Sequence, residues 1–180
     1  MKIVLLTLIS IILFADPKED MFDLYQNEKY EEVCNLGHIW LDKNIRDEEF
    51  VSLYAFSCLK SDYIDRLSIP VAVLKFSEES RSNSAYFSII LMQKKLLYHA
   101  LVDGYDLSKM HLPSTDYILS KVFDLYSALG THDKRTVYFF NDKENPRVNY
   151  KLYLVRDDKL SKIVIEEFFD KISIQRHVYW

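Results

Sequence analysis

The hydrophobic period of this chain changes once along its length, and that change decides what it can fold into. Up to Gly130, apolar residues recur at three- and four-residue steps; beyond it they alternate with polar ones. A period near 3.6 belongs to helices and a period of two to half-buried strands. The chain therefore reads as an α+β protein, with antiparallel helical hairpins first and an antiparallel sheet second.

Capping chemistry sets the expected helix starts. Asp16 suits an N-cap, Pro17 the first helical position, and Glu19 completes a capping box. A second helix over residues 30–43 places Val33, Leu36, Gly37, Trp40 and Leu41 on one side. A third opens at Asp47-Glu48-Glu49, where acids favour the positive end of the helix dipole, and carries Phe50, Leu53, Tyr54, Ser57 and Cys58. The fourth, residues 62–76, contains Pro70, which predicts a kink or a restart after Ser68. The fifth, residues 78–102, is the longest. Only a stripe through Ser88, Lys95 and His99 interrupts its apolar surface, so it should lie centrally. A sixth begins after Pro113-Ser114 and runs to Gly130, a natural C′ residue.

Four strand patterns follow. Val137 to Phe140 precedes the turn formers Asn141-Asp142-Lys143-Glu144-Asn145-Pro146. Val148, Tyr150, Leu152 and Leu154 then alternate with polar partners, and Asp157-Asp158-Lys159 makes a second turn. A third strand carries Ile163, Val164, Ile165, Phe168 and Phe169, and a fourth groups Ile174, Arg176, Val178 and Trp180. Short turns imply a four-stranded antiparallel meander. The chain thus divides into residues 1–15, a helical part at 16–130 and a sheet region at 131–180. Periodicity does not decide whether the last two share one core.

The first segment is an address. Met1-Lys2 precedes an apolar run over residues 3–15, broken only by Thr7 and Ser10, and polar Asp16-Pro17-Lys18-Glu19-Asp20 follows. One positive charge, a short apolar run and a small final residue describe a secretory signal peptide cleaved after Ala15. The run is shorter than the roughly 20 residues that cross a bilayer. The expected product is periplasmic or secreted, with no stable membrane span after cleavage. Its net charge, already −4 in the whole chain, becomes more negative when Lys2 is lost, which argues against a nucleic-acid partner.

Lys29-Tyr30-Glu31-Glu32-Val33-Cys34-Asn35-Leu36-Gly37 resembles the second helix of a tetratricopeptide hairpin, where an aromatic residue opens the helix and a small residue follows three positions later. Thirty-three residues on, Asp62-Tyr63-Ile64-Asp65-Arg66-Leu67 opens another helix with the same Tyr. That interval is close to the family's period of about 34 residues. The resemblance covers residues 17–76. It implies stacked hairpins, a partner-binding concave face and no catalysis. Exported bacterial envelope proteins of similar build, flagellar-motor accessory proteins among them, make another envelope protein the expected partner.

Cys34 and Cys58 stand twelve residues either side of a turn near Arg46, so an antiparallel hairpin brings them level. An oxidising compartment would join them as a disulfide; two reduced core cysteines are the alternative. No CxxC redox motif occurs. Histidines at 38, 99, 111, 132 and 177 form neither HExxH nor HxH, so no metal is expected; His99 and His111 only flank a loop holding Asp103 and Asp106. His177 reads as cross-strand decoration. Glu166 and Glu167 point to opposite faces of a strand and read as solvated charge, as do Glu78-Glu79 and Asp157-Asp158; Lys94-Lys95 is a short basic step. Only three glycines occur, where about thirteen are usual at this length, too few for phosphate-cradling loops or a nucleophile elbow.

No cofactor and no catalytic signature is indicated, so the expected activity is non-enzymatic binding as a scaffold or assembly factor. Of the thirteen tyrosines, Tyr153, on the polar face of its strand, is the candidate contact residue. Two alternatives remain: a cell-wall enzyme with a site at the helix–sheet junction, and a small-ligand binder using the aromatic-rich sheet face, which an apolar cavity enclosed between the fifth helix and the strands would distinguish from a scaffold.

Overall fold

The computed structural model describes residues 16–156 and 160–180. The signal-peptide stretch and the turn at Asp157-Asp158-Lys159 lie outside the described residues. Among the described residues six α-helices precede four strands: α1 Pro17–Gln26, α2 Tyr30–Asn44, α3 Glu48–Lys60, α4 Ser68–Val73, α5 Glu78–Asp103, α6 Ile118–Ser127, β1 Val137–Asn141, β2 Val148–Arg156, β3 Ser161–Phe169 and β4 Ile172–Tyr179. The class is α+β. No helix among the described residues is long and apolar enough to cross a membrane.

Asp16 and Asp47 head their helices as expected: Asp47 accepts from the Glu49 and Phe50 N–H groups, and Asp16 accepts from Lys18 rather than from the Glu19 of a capping box. Ser77, which the pattern did not single out, caps α5 by accepting from Ser80. The expected fourth helix splits into a 3₁₀ turn, Ile64–Leu67, and α4, which restarts at Ser68. Pro70 thereby sits in a first turn, where a missing N–H breaks no intrahelical bond. Helix α6 is shorter than its apolar pattern: it starts at Ile118 and ends at Ser127. Gly130 lies beyond the helix end at φ 68°, donating its N–H to the Ser127 carbonyl.

Helices α2 and α3 pack antiparallel. Cys34 is bridged to Cys58 with the Cα atoms 4.8 Å apart, and one turn further along α2, Gly37 faces Tyr54 one turn back along α3. A Cβ on Gly37 would stand 2.7 Å from Tyr54 Cδ2 and 3.0 Å from Met21 Cε, so the three helices close only over a bare Cα. Arg66, where the tetratricopeptide pattern has a small residue, donates to the Cys34 sulfur at 3.1 Å and to Asn35 Oδ1 at 2.9 Å. Glu48 ties the start of α3 to the start of α5. Its carboxylate accepts the backbone N–H groups of Phe76, Lys75 and Ser77 at 2.7, 2.9 and 3.0 Å.

The sheet is antiparallel in the order β1-β2-β3-β4. The turn formers behave as expected, since Asp142 caps Glu144 and Asn145, and Asn145 caps Arg147. Asp170 and Lys171, both with positive φ, make the β3–β4 hairpin turn. One face presents Tyr138, Phe140, Tyr150, Leu152, Ile163, Ile165 and Tyr179, all buried with the helical residues in one hydrophobic cluster. In β4 this face is the odd-numbered one. Ile174, Arg176 and Val178 turn outward, and His177 with Tyr179 is buried. The apolar count favours the other face; hydrogen-bonding partners for His177 and Tyr179 in the helical part, Asp62 after α3 and Tyr117 before α6, accompany the burial of this one.

Three outcomes are expected. Replacing both cysteines by Ser, or reducing the bridge, lowers stability by about 3–4 kcal/mol, seen as a fall of roughly 10 °C in Tm. Gly37→Ala lowers it by about 1–2 kcal/mol in denaturant titration, although Ala is the better helix former. The three N–H groups, Phe76 foremost, hold the Glu48 carboxyl down to about 2. Its contribution is then present above about pH 4.5 and lost as pH falls through 2, because the unfolded chain binds the proton first. Glu48→Gln should flatten that acid limb in a Tm-against-pH series; an unchanged limb would contradict the assignment.

Candidate functional site

Beside the shared apolar core, the junction of sheet and helices carries a polar seam and an open cleft. At the seam, Asp62 follows α3 with φ 65°, a left-handed conformation that Asp tolerates better than most residues. Its Oδ1 accepts the Tyr117 hydroxyl at 2.9 Å and faces His177 Nδ1 at 2.8 Å. Tyr117 and Tyr179 hydroxyls lie 3.2 Å apart. Burial, then the Asp62 charge, pushes the Tyr117 phenol well above its usual range; burial does the same to Tyr179. Both stay neutral donors and acceptors.

Three residues on, Asp65 faces Lys94 and Lys95 at 2.7 and 2.5 Å. Lys94, in the middle of α5, is only 2 % exposed and also donates to the Trp180 carbonyl after β4. Burial lowers the Lys94 ammonium. Burial alone would raise Asp65, but the two lysines outweigh it and hold that carboxyl below its ordinary value. A small cleft of about 190 Å³ opens here, lined by Asp62, Tyr63, Asp65, Arg66, Lys94 and Trp180. Its acids are already held by cations or hydroxyls.

The second place is a cleft of about 600 Å³ between the C-terminal end of α5 and the β1–β2 pair. Leu101, Tyr138 and Leu154 line it with Tyr153 and Thr136, and Lys134, Arg135 and Arg156 add three cations. Lys134 donates to the Val102 carbonyl at 2.8 Å, a cation at the negative end of a helix. The Arg135 guanidinium stands 5.9 Å from the Tyr138 ring centre. Among the described residues none of the three makes an ion pair with a carboxylate.

Tyr153 is half-buried on the outer sheet face. Its hydroxyl donates to Glu166 at 2.6 Å, and Lys151 Nζ lies 4.7 Å from its ring centre. Glu166 also pairs with Lys151 at 3.2 Å and Arg176 at 3.8 Å, its directly facing residues on β2 and β4. The Tyr153 bond chiefly holds its carboxyl below the ordinary value. Glu166 is therefore the centre of a cross-strand ladder, not solvated charge.

His177, expected as decoration, is buried on Asp62 instead. The other histidines do not gather: His38 and His111 are exposed, His99 pairs with Asp103 and stacks on Tyr105, and His132 Nδ1 meets the Gly130 carbonyl. Asp106 is taken by Ser108 and Thr131. Among the described residues no three His, Cys, Asp or Glu side chains gather as metal ligands. The disulfide lies in the helical part, apart from the cleft. Lys94 was legible in principle: it falls on the stripe Ile90, Leu97, Leu101, all buried, so a lysine there had to find a partner.

No known protein family, curated protein or solved structure matches this chain.

Asp62→Asn, which keeps an acceptor and tolerates the left-handed backbone, should cost under about 1 kcal/mol, whereas Asp62→Ala should cost about 2–3 kcal/mol by stranding the buried His177 Nδ1 and straining the left-handed backbone, while Tyr117 keeps the Leu59 carbonyl. Equal losses in urea titration would contradict the claim that a neutral acceptor at position 62 suffices.

Proposed function

We propose that this chain is an exported, non-enzymatic protein that binds another envelope protein, as a scaffold or assembly factor, through the cleft beside Tyr153. The observation that carries the reading is the combination at that cleft. An apolar and aromatic floor is ringed by three cations that no carboxylate of the described residues neutralises. Interfaces are enriched in Tyr and Arg at such spots, where a large side chain is buried and a fixed charge sets specificity. The signal-peptide pattern at residues 1–15 supports export and a cell-envelope setting. The antiparallel hairpins α1–α3 support a tetratricopeptide-like helical part that serves as support.

A small-ligand binder is the second reading, because the cleft lies between α5 and the strands and its volume falls in the range of ligand sites. The enzyme reading has less support, since the acids at the helix–sheet junction are engaged by Lys94, Lys95, Tyr117 and His177.

A photo-crosslinking benzoylphenylalanine at Thr136, on the cleft wall, discriminates between these readings in cells. The control position is Phe76, 71 % exposed at the opposite end of α5, about 39 Å of helix away. The expected result is one covalent adduct with an envelope protein from position 136 and none from 76, on a chain whose N-terminus is Asp16. Adducts from neither position, or equally from both, would contradict the binding reading.

A further inference from the structure

We propose that the occupant of the cleft is an extended acidic segment of the partner protein, adding to the free edge of β1 and inserting one apolar side chain between α5 and the sheet. This rests on the binding reading above and supplies the chemistry of what is bound.

Two features of different kind point to the same occupant. The first is charge. The whole chain is net −4, yet Lys134, Arg135 and Arg156 converge on one cleft without acidic partners among the described residues. Arg156 precedes Asp157 and Asp158, which lie outside the described residues. Lys134 spends one donor on Val102, leaving two, and the forked guanidinium groups of Arg135 and Arg156 are shaped for carboxylates. A localised basic site on an acidic molecule suits a short acidic segment. A broad anionic surface such as a bilayer would be repelled by the remainder of the molecule.

The second feature is the backbone. β1 is an edge strand, and the backbone groups of Val137–Asn141 bond only to β2 among the described residues. It carries Phe139, 74 % exposed, and neither Pro nor Lys guards it within those five residues. An added strand would satisfy the outward N–H and C=O groups and run directly past the cleft mouth at Thr136. Its alternate side chains then fall toward Leu101, Tyr138 and Leu154, with neighbouring carboxylates in reach of the three cations. A free anion or a lipid headgroup has no use for the strand edge.

The test is fluorescence anisotropy with the purified protein and a labelled peptide, acetyl-Glu-Asp-Phe-Glu-Asp-Glu-amide. A basic peptide of the same length around Phe, inorganic phosphate, and phosphatidylglycerol–phosphatidylcholine vesicles are the comparison probes. Saturable binding of the acidic peptide is expected, weakened by salt and about threefold weaker in each of Lys134→Ala, Arg135→Ala and Arg156→Ala, with a loss of about tenfold or more in the triple variant. These side chains are exposed, so the fold tolerates the changes. Methylating alternate backbone nitrogens of the peptide should weaken binding by a further factor of about ten, as lost strand hydrogen bonds demand.

Equal binding of the basic peptide, no acidic-peptide binding, or affinity unchanged in the triple variant overturns the proposal, as does binding to vesicles or phosphate alone. Indifference to methylation overturns the added strand. If the adduct at position 136 forms while the peptide fails to bind, the partner-binding reading stands and only this inference falls.

Discussion

The burial of one lysine organises the molecule. An ammonium group almost never leaves water without a partner, because its lost hydration costs more than a single neighbour returns. Lys94 sits on the inward stripe of α5 and is made tolerable by Asp65 on the 3₁₀ turn and the carbonyl of Trp180 beyond β4. Those three groups come from the centre of the helical part, its middle connection and the end of the sheet. Removing Asp65 leaves the buried ammonium with one neutral acceptor, and removing Lys94 takes the donor from the Trp180 carbonyl while Lys95 still holds Asp65, so the seam fixes the register between helices and sheet more sharply than apolar contact could.

The rest follows from where that seam puts α5. Residues Asp62, Tyr117, Tyr179 and His177 extend the polar contact, and the apolar cluster continues from the disulfide-closed hairpin through α5 and α6 into the inner sheet face. Seven residues past Lys94, Leu101 reaches the β1–β2 pair, where the helix ends and the packing opens into the cationic cleft. The cleft is framed by a long helix and a sheet, with its cations on β2 and on the segment leading into β1. A preformed site of this kind orders little on binding.

Much of this was legible in the sequence, for local reasons. The change of period at Gly130, the helix starts at Asp16 and Asp47 and the turn formers around Asn145 each act within a few residues, so local residue order reports them. The level placement of Cys34 and Cys58 needed only one assumption, an antiparallel hairpin. The face of β4 was less legible, because Ile174 and Val178 outvote His177 and Tyr179 on hydrophobicity, while the partners that bury the latter pair, Asp62 and Tyr117, lie more than sixty residues away for Tyr117 and further for Asp62. Glu166 is the same case, and for Lys94 the helical stripe implies burial without naming the partner. Glu166 reads as surface charge until Lys151, Tyr153 and Arg176 arrive beside it. Tyr153 was singled out as an exposed contact, and it stands at the cleft, though tied by Glu166. The cations of the cleft belong to two stretches, Lys134-Arg135 before β1 and Arg156 at the end of β2, that no spacing rule connects.

Native-state hydrogen exchange by mass spectrometry or NMR, on the intact protein and on Lys94→Met, tests the central claim that helices and sheet form one cooperative unit locked through α5. The account predicts a common opening free energy for the most protected amides of α5 and of β2–β3, lowered equally by the substitution. Sheet amides that open at a lower free energy of their own, unmoved when Lys94 is replaced, would contradict it.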